Sequence, residues 1–408
     1  MKRVLFISGM YPPFTKGGAE VSAHLLARGL MKLGWEVDVL AEGKESTDDV
    51  DGIKVFHREI GLTQKPLMEY WHARVMGAKV KRFIQQREPY DIVHAHDFRA
   101  VQAISDLGIS NAITTVRDYA QICGSPNNLG GDGQNCQGCE NIRNAWKNRS
   151  VQEAPLVRKP FRWWQYWHNI GFRLESFRQI KNHVYISWAQ LEEVKRHQDL
   201  NGINASVIYN PIQPEYLEAI RKIGDPYKLL YVGTMESYKG VGILLDAFKL
   251  LEGKEKQIRL KLVGAGAQLD KYRNLAKEYG LENFVEFTGR INDSQMLGVY
   301  DDAGTIIAPH IWLEPFGRTT VEAMARGKVV IAADHGGPGE VIKKGVTGVL
   351  FKKGDAHDLA DAINKVINWP NQQREAMGEA AQSWVRANLR LEKIAEQYHE
   401  RYLKILAK

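Results

Sequence analysis

Short apolar runs and amphipathic stretches alternate along almost the whole chain. Apolar runs at residues 4–8, 37–41, 54–57, 91–94, 112–116 and 183–187 read as strands in the first half. Those at 228–232, 259–263, 285–288, 305–308, 329–332 and 348–351 do so in the second. Between them, apolar positions recur at three- and four-residue spacing over 21–33, 241–251, 268–279 and 356–367, which predicts helices. Strand and helix in alternation predict parallel sheets covered by helices. Turn chemistry at Asn210-Pro211 and Gly224-Asp225-Pro226 breaks the chain near its middle. The pattern predicts an α/β protein of two doubly wound, Rossmann-like domains, 1–207 and 208–385, facing each other across a cleft. Ligand is expected in that cleft, at the C-terminal ends of the strands. A C-terminal helix over 386–408 is expected to pack back on the first domain.

A length of 408 residues is ample for two cores, and 44% hydrophobic with 25% charged residues is the composition of a soluble protein. No apolar run approaches the ~18 residues that span a bilayer. The opening Met1-Lys2-Arg3 and apolar run resemble a signal peptide, but Tyr11-Pro12-Pro13 cuts the run short. It is read as a first buried strand, and a cytoplasmic location is expected. The net charge of +7 suits phosphorylated ligands, an anionic membrane surface or nucleic acid. No nucleic-acid module is recognisable, so no nucleic-acid partner is expected. Three cysteines in one loop, Cys123, Cys136 and Cys139, argue against a disulfide scaffold. Cys136-Gln-Gly-Cys139 has metal-ligand spacing; a structural zinc with Cys123 as third ligand stands against free thiols or a local disulfide.

Candidate chemistry concentrates after the strand at 305–308. Glu314-Pro315-Phe316-Gly317-Arg318-Thr319-Thr320-Val321-Glu322 places two carboxylates around a turn that runs into a helix. Gly317 permits the turn, Thr319 and Thr320 suit a helix start, and Gly327 suits its end. A helix N-terminus there would meet a phosphate, with one carboxylate for sugar hydroxyls and the other for a diol. Solvated helix-end charges are the bland alternative. Gly17-Gly18 and Gly233-Thr234 with Lys239-Gly240 follow the first strand of each half. The glycines allow close backbone approach to a diphosphate, and Lys239 suits a leaving group that gains charge. Gly264-Ala-Gly266 is half a dinucleotide fingerprint without its acidic ribose anchor; Gly289, Arg290 and Ile291 stand there instead, as a seat for a nucleobase edge. His94-Ala-His96-Asp97 ends one strand and Arg117-Asp118-Tyr119 the next, all candidates for acceptor or sugar contacts, with His96 and Tyr119 on the acceptor side; the two histidines also have a chelating spacing, and one of them reads equally as a satisfied core residue. Asp49-Val50-Asp51 has the DxD spacing of metal-dependent transferases but lies among polar residues, as a solvated turn would. The segment 161–167, with Phe161, Trp163, Trp164 and Trp167 after Arg158-Lys159, suits either an anionic membrane interface or packing against the first domain.

Together these residues resemble the retaining glycosyltransferases of family 4, which have the GT-B architecture, over nearly the whole chain. The most specific part is Glu314-x7-Glu322; Gly327, Gly336-Gly337, Glu340 and Gly345 to Gly348 continue it. Upstream, Tyr11-Pro12-Pro13, Gly17-Gly18, the run from Asp91 to His96, and Gly233 with Lys239-Gly240 are similar to the family. The resemblance implies that Glu314 contacts the donor sugar and Glu322 the nucleotide ribose. It implies that Lys239 and the turn from Pro315 to Thr319 hold the diphosphate, with Gly18 approaching from the other domain. Transfer would retain configuration by front-face attack inside an ion pair, with no catalytic metal and no cofactor beyond the nucleoside-diphosphate sugar as co-substrate. Two departures stand out. Thr234 replaces an arginine that many members carry, leaving Arg318 as the substitute cation. Arg117 replaces a histidine beside Asp118; arginine is no base, so the donor phosphate is expected to take the acceptor's proton. Glu314, Arg117 and Asp118 are the expected catalytic residues. The acceptor is expected to be a glycan or lipid-linked glycan, with the enzyme peripheral on the inner face of the membrane through 161–167. A nucleotide-sugar epimerase would need no acceptor, a non-catalytic sugar-nucleotide binder would show binding without turnover, and an NAD-dependent oxidoreductase lacks its fingerprint.

Overall fold

The computed structural model describes residues 1–13, 17–64, 68–123, 155–218, 224–251 and 258–407. The chain forms two compact units, Met1–Pro211 with Leu391–Lys408, and Ile212–Arg390. In the first, the strands are β1 (Lys2–Ser8), β2 (Trp35–Glu42), β3 (Ser46–Val50), β4 (Ile53–Arg58), β5 (Ile92–Ala95), β6 (Ala112–Val116), β7 (Asn182–Tyr185) and β8 (Asn204–Val207). They lie in the order β3-β4-β2-β1-β5-β6-β7-β8, parallel throughout except for β3 against β4. The strand order reverses beside β1, between β2 and β5.

Two of these strands are absent from the apolar pattern. β3 holds Asp49, so the DxD segment assigned above to a solvated turn is one side of an edge hairpin. An edge strand buries little, so it can be polar on both faces and leaves no alternation to read. Asp51 takes the turn itself with φ 56°. Its carboxylate lies 3.0 Å from His24 Nε2 and 3.7 Å from Arg28, a local ion-pair role. β8, at the opposite edge, is only half-buried along its length.

The core of this unit joins Val4, Phe6, Trp35 and Ile92 to Ile394, Tyr398 and Tyr402 of the helix Leu391–Leu406. A polar thread runs through it. His94 Nδ1 lies 2.7 Å from Tyr402 Oη, and its Nε2 2.8 Å from Thr115 Oγ1. Burial holds His94 well below the usual histidine range, with the Arg117 charge adding to the effect, so the ring is neutral. Of the two readings open for this histidine pair, His94 is therefore the satisfied core residue, and it ties the C-terminal helix to the sheet. The preceding helix, Asn371–Asn388, belongs to the second unit.

The second unit is built on β9 (Asp225–Val232), β10 (Arg259–Val263), β11 (Val285–Gly289), β12 (Ala303–Ala308), β13 (Val329–Ala333) and β14 (Val349–Phe351). Their order is β11-β10-β9-β12-β13-β14, all parallel. Apolar alternation drives this arrangement: Leu229, Tyr231, Leu260 and Leu262 point to the face covered by Leu244, Leu245 and Phe248 of the helix Val241–Lys249. Strand order reverses between β9 and β12, and a ligand in such a sheet sits outside the carboxyl ends of the strands at that reversal. The loops after β9 and β12 carry Lys239 and Glu314.

Candidate active site

The loop after β9 is clamped by its neighbours on both sides. Gly233 N donates to Val263 O at 3.0 Å, and Met235 N to Ala265 O at 3.0 Å, joining it to the loop after β10. Gly264 has φ 138°, and a side chain there would run into the Gly233 carbonyl. The apparent half-fingerprint at 264–266 is thus a loop-packing device. On the other side Gly240 has φ 77°, and a side chain there would strike the Pro309 carbonyl of the loop after β12. Ile311 N and Trp312 N both donate to Tyr238 O, at 3.1 and 3.3 Å. Lys239 is thereby delivered to Glu314, 75 residues away in sequence.

Lys239 Nζ donates to Glu314 Oε2 at 2.5 Å. Trp312 Nε1 donates to the same oxygen at 3.0 Å, and His310 Nε2 lies 3.3 Å from it. Burial pushes the Glu314 carboxyl up, but the Lys239 charge and the hydrogen bonds from Lys239 and Trp312 outweigh it and hold it below its ordinary value. Burial pushes His310 down to about 4, so its ring is neutral near pH 7. Lys239 also stands over the Trp312 ring, 4.8 Å from its centroid. Gly337 N donates to Glu314 O at 2.7 Å, which fixes the backbone from the loop after β13. Neither Lys239 nor Glu314 is a solvated surface charge; their side chains are 18% and 14% exposed.

Beyond Pro315 and the buried Phe316, Gly317 adopts φ 80° and caps the helix Arg318–Ala325. The helix begins at Arg318, one residue ahead of the threonines expected to start it, and Thr320 N and Val321 N turn back to Gly317 O. Glu322 is buried, with Oε1 accepting from Arg318 Nε at 2.9 Å and Oε2 from Tyr300 Oη at 2.9 Å. The alternative of a solvated helix-end charge fails for Glu322 too. Burial raises the Glu322 carboxyl above its ordinary value despite Arg318. Arg318 Nη2 donates to Gln213 Oε1 at 2.9 Å, so the cation expected to replace the arginine missing at Thr234 is already engaged. Thr234 offers its carbonyl to Tyr231 Oη at 2.9 Å. Gly289 ends β11 and Arg290 and Ile291 follow it, separated from β9 by β10; Gly289 O accepts from Gly264 N at 2.8 Å.

The first unit gathers its candidates around a cavity of about 160 Å³ at the ends of β1, β5 and β6. Ser8, Glu20, His96, Asp97, Arg117 and Asp118 are among its walls. Arg117 donates from Nη1 to Asn210 Oδ1 at 2.8 Å and faces His96 Nδ1 from Nη2 at 3.1 Å. Burial pushes the Asp118 carboxyl up, and its Oδ1 accepts from Ala120 N at 2.8 Å. Tyr119 is wholly buried, so this side chain does not present itself to an acceptor as expected. Gly17 caps the helix Gly18–Lys32. Cys123 is buried with Sγ 3.8 Å from Tyr166 Oη; Cys136 and Cys139 lie outside the described residues. Among the described residues no group of three His, Cys, Asp or Glu side chains is placed to hold a metal.

Three participants have no place in the sequence reading: His310, Trp312 and Tyr300. The first two had a signal, since His310, Trp312 and Glu314 alternate with apolar Ile311 and Leu313 at a spacing that puts every second residue on one side. Asp97 caps the helix Phe98–Ser105 through Ala100 N and also accepts from Gly9 N.

Residues 16–216 match the model of Glycosyltransferase Family 4, and residues 213–384 that of Glycosyl transferases group 1. An uncharacterised glycosyltransferase of Methanocaldococcus jannaschii is 25% identical over 383 residues, covering 90% of this chain and 89% of that protein. Sucrose-phosphate synthase from Thermosynechococcus elongatus has the same fold, with TM-score 0.76 at 20% identity over 100% of both chains. HepE from Anabaena, solved with UDP and glucose, gives TM-score 0.70 at 20% identity over 99% of this chain and 100% of its own. Two parallel-sheet units of this kind and these matches define a glycosyltransferase enzyme of the GT-B fold. The chain belongs to glycosyltransferase family 4.

Proposed function

We propose that the protein is a retaining transferase that moves a sugar from a nucleoside diphosphate to a hydroxyl of a glycan or lipid-linked glycan. The Lys239–Glu314 pair at the strand-order reversal of the second unit carries this reading. Lys239 supplies the cation that a departing diphosphate needs as its charge grows, together with the turn from Pro315 to Thr319. Glu314 accepts donor-sugar hydroxyls. Glu322 takes the ribose diol by exchanging one of its present donors, Arg318 or Tyr300. Thr234 and the Gly289–Ile291 stretch border the rest of the nucleotide, and Gly17-Gly18 allow close approach at the helix start in the first unit. His96, Arg117 and Asp118 wall a cavity of hydroxyl-binding character. Glu314 is ion-paired to Lys239, which favours front-face transfer within an ion pair over attack by a free carboxylate. HepE, bound to UDP and glucose, supports a donor of the same chemical class.

Calorimetric titration with UDP, GDP, ADP and NAD tests the donor site. One nucleoside diphosphate is expected to bind, and Glu322→Ala to weaken it by about 1–3 kcal/mol through lost charge-assisted hydrogen bonds. Failure of all four to bind would overturn the reading. Anomeric proton resonances of the first-formed product then report retention or inversion.

A lipid-linked acceptor, and a peripheral place on an anionic cytoplasmic membrane face, is supported by the helix Lys159–Gln179. No described helix is long and apolar enough to cross a membrane. This one buries Gln165, Ile170 and Phe177 but leaves Phe161, Trp164 and Trp167 at 47%, 43% and 42% exposure, beside Arg158, Lys159 and Arg162. Aromatic rings amid cations suit the headgroup level of anionic lipid. The protein is expected to float with phosphatidylglycerol vesicles, and Trp164→Glu with Trp167→Glu to cut that fraction several-fold without altering nucleotide affinity. Equal flotation by the double variant would dismiss this surface.

A further inference from the structure

We infer that Trp312 and His310 are positioning residues that pin one oxygen of the Glu314 carboxylate and leave the other free for substrate. The inference rests on the donor site proposed above. Its basis is an asymmetry. Lys239 Nζ, Trp312 Nε1 and His310 Nε2 converge on Oε2, at 2.5, 3.0 and 3.3 Å. No hydrogen bond from a described residue reaches Oε1; both that the carboxylate accepts go to Oε2. A carboxylate has acceptor sites on both oxygens, so stacking every donor on one of them presents the other.

The pins are themselves held. Trp312 is buried, meets the Tyr238 ring edge-on at 5.3 Å between centroids, and is tied to Tyr238 O through its backbone N–H. His310 is buried at the end of the apolar run of β12. Its ring is neutral, and Nε2 is the ring nitrogen that lies beside the carboxylate. Glu314 lies in a loop, where its side chain would otherwise sample several rotamers.

The arrangement divides the labour among the three groups. A diphosphate arriving at Lys239 draws that cation away from Oε2. Trp312 and His310 carry no charge, gain nothing comparable from the diphosphate, and stay on Oε2. The carboxylate thus keeps its orientation when its ion pair is shared with the donor, the moment at which misplacement costs most rate. Both residues act through Glu314 and touch no reacting atom.

The test separates positioning from binding. Trp312→Phe keeps an aromatic ring under Lys239 but removes the N–H; His310→Ala removes the neutral polar group beside Oε2, and His310→Gln restores one. The nucleoside diphosphate that binds wild-type protein is identified among UDP, GDP and ADP, and its glucose and N-acetylglucosamine esters serve as donors. Trp312→Phe and His310→Ala are each expected to slow donor turnover by about ten- to a hundredfold. The diphosphate Kd should stay within about twofold in both, because the lost contact is with Glu314 and not with the phosphates. His310→Gln should recover most of the rate. Melting curves identify any variant that does not fold, and the other then carries the test. Wild-type turnover in the folded variants, or a Kd that worsens in step with the rate, would overturn the inference while the donor site stands. A wild-type protein that binds no nucleoside diphosphate would remove the donor site, and the inference with it.

Discussion

Replacing Lys239 with methionine is expected to lower donor turnover by about 10²–10³, the effect of deleting one preorganised charge at a centre where charge develops. Two losses combine. The departing diphosphate loses its cation, and Glu314 loses the partner that offsets its burial. Its carboxyl, now held below its ordinary value chiefly by Lys239 against the burial effect, is then expected to titrate at higher pH. The acid limb of the rate profile should move upward with it. Glu314→Gln removes the same ion pair from the other side and should also be slow. The double variant is expected to be little worse than either single one, since the two groups act as a unit. Steady-state rates and diphosphate affinity of the three proteins decide this. A Lys239→Met protein with wild-type rate and affinity would detach Lys239 from the donor site altogether.

The Lys239–Glu314 pair also shows where sequence reading reaches its limit. Gly317, Arg318 and Glu322 are legible because a turn and the helix after it follow from local chemistry. Nothing local links Lys239 to Glu314. They meet because β9 and β12 are neighbours in the sheet, and because Gly240 lets the two loops touch. Tyr300 reaches Glu322 from 22 residues upstream by the same kind of packing. The half-fingerprint at Gly264 and Gly266 has a related cause: close backbone approach needs glycine whether the thing approached is a pyrophosphate or the next loop. Sequence leaves His94 open between ligand contact and core residue because its covering residue, Tyr402, lies 308 positions on. Element placement was recovered wherever a strand is buried on a face and so must alternate or run apolar. It failed at β3 and β8, the two sheet edges, where the side chains need bury nothing.

Glu69→Ala is expected to cost the first unit about 3–5 kcal/mol, the effect of breaking a buried ion pair from one side. Glu69 opens the helix Glu69–Gln85 and is buried. It accepts from Arg173 Nη2 at 2.6 Å, Arg173 Nε at 2.8 Å and Gln102 Nε2 at 2.7 Å, with Arg99 Nη2 3.4 Å away. Its removal leaves two guanidinium groups facing each other in the interior without their carboxylate. Arg173 also donates to the carbonyls of Ala120 and Cys123, at 3.3 and 3.1 Å, so the backbone that follows Asp118 loosens with it. In a unit of this size the loss should appear as a fall of about 10 °C in melting temperature. Its pH dependence has a definite sign. Burial alone would push the Glu69 carboxyl up, but the hydrogen bonds and charge of Arg173, with the charge of Arg99, outweigh it and hold it below its ordinary value of 4.5. A carboxyl depressed in the folded state stabilises fully above its unfolded pKa, and that stability is lost as pH falls through the folded one. The gap between wild type and Glu69→Ala should therefore be full above about pH 5 and close progressively in acid. Denaturant unfolding of both proteins at neutral pH and in acid measures it. A gap that stays constant into acid would mean that the carboxylate contributes packing alone, and that the two arginines find their counter-charge elsewhere.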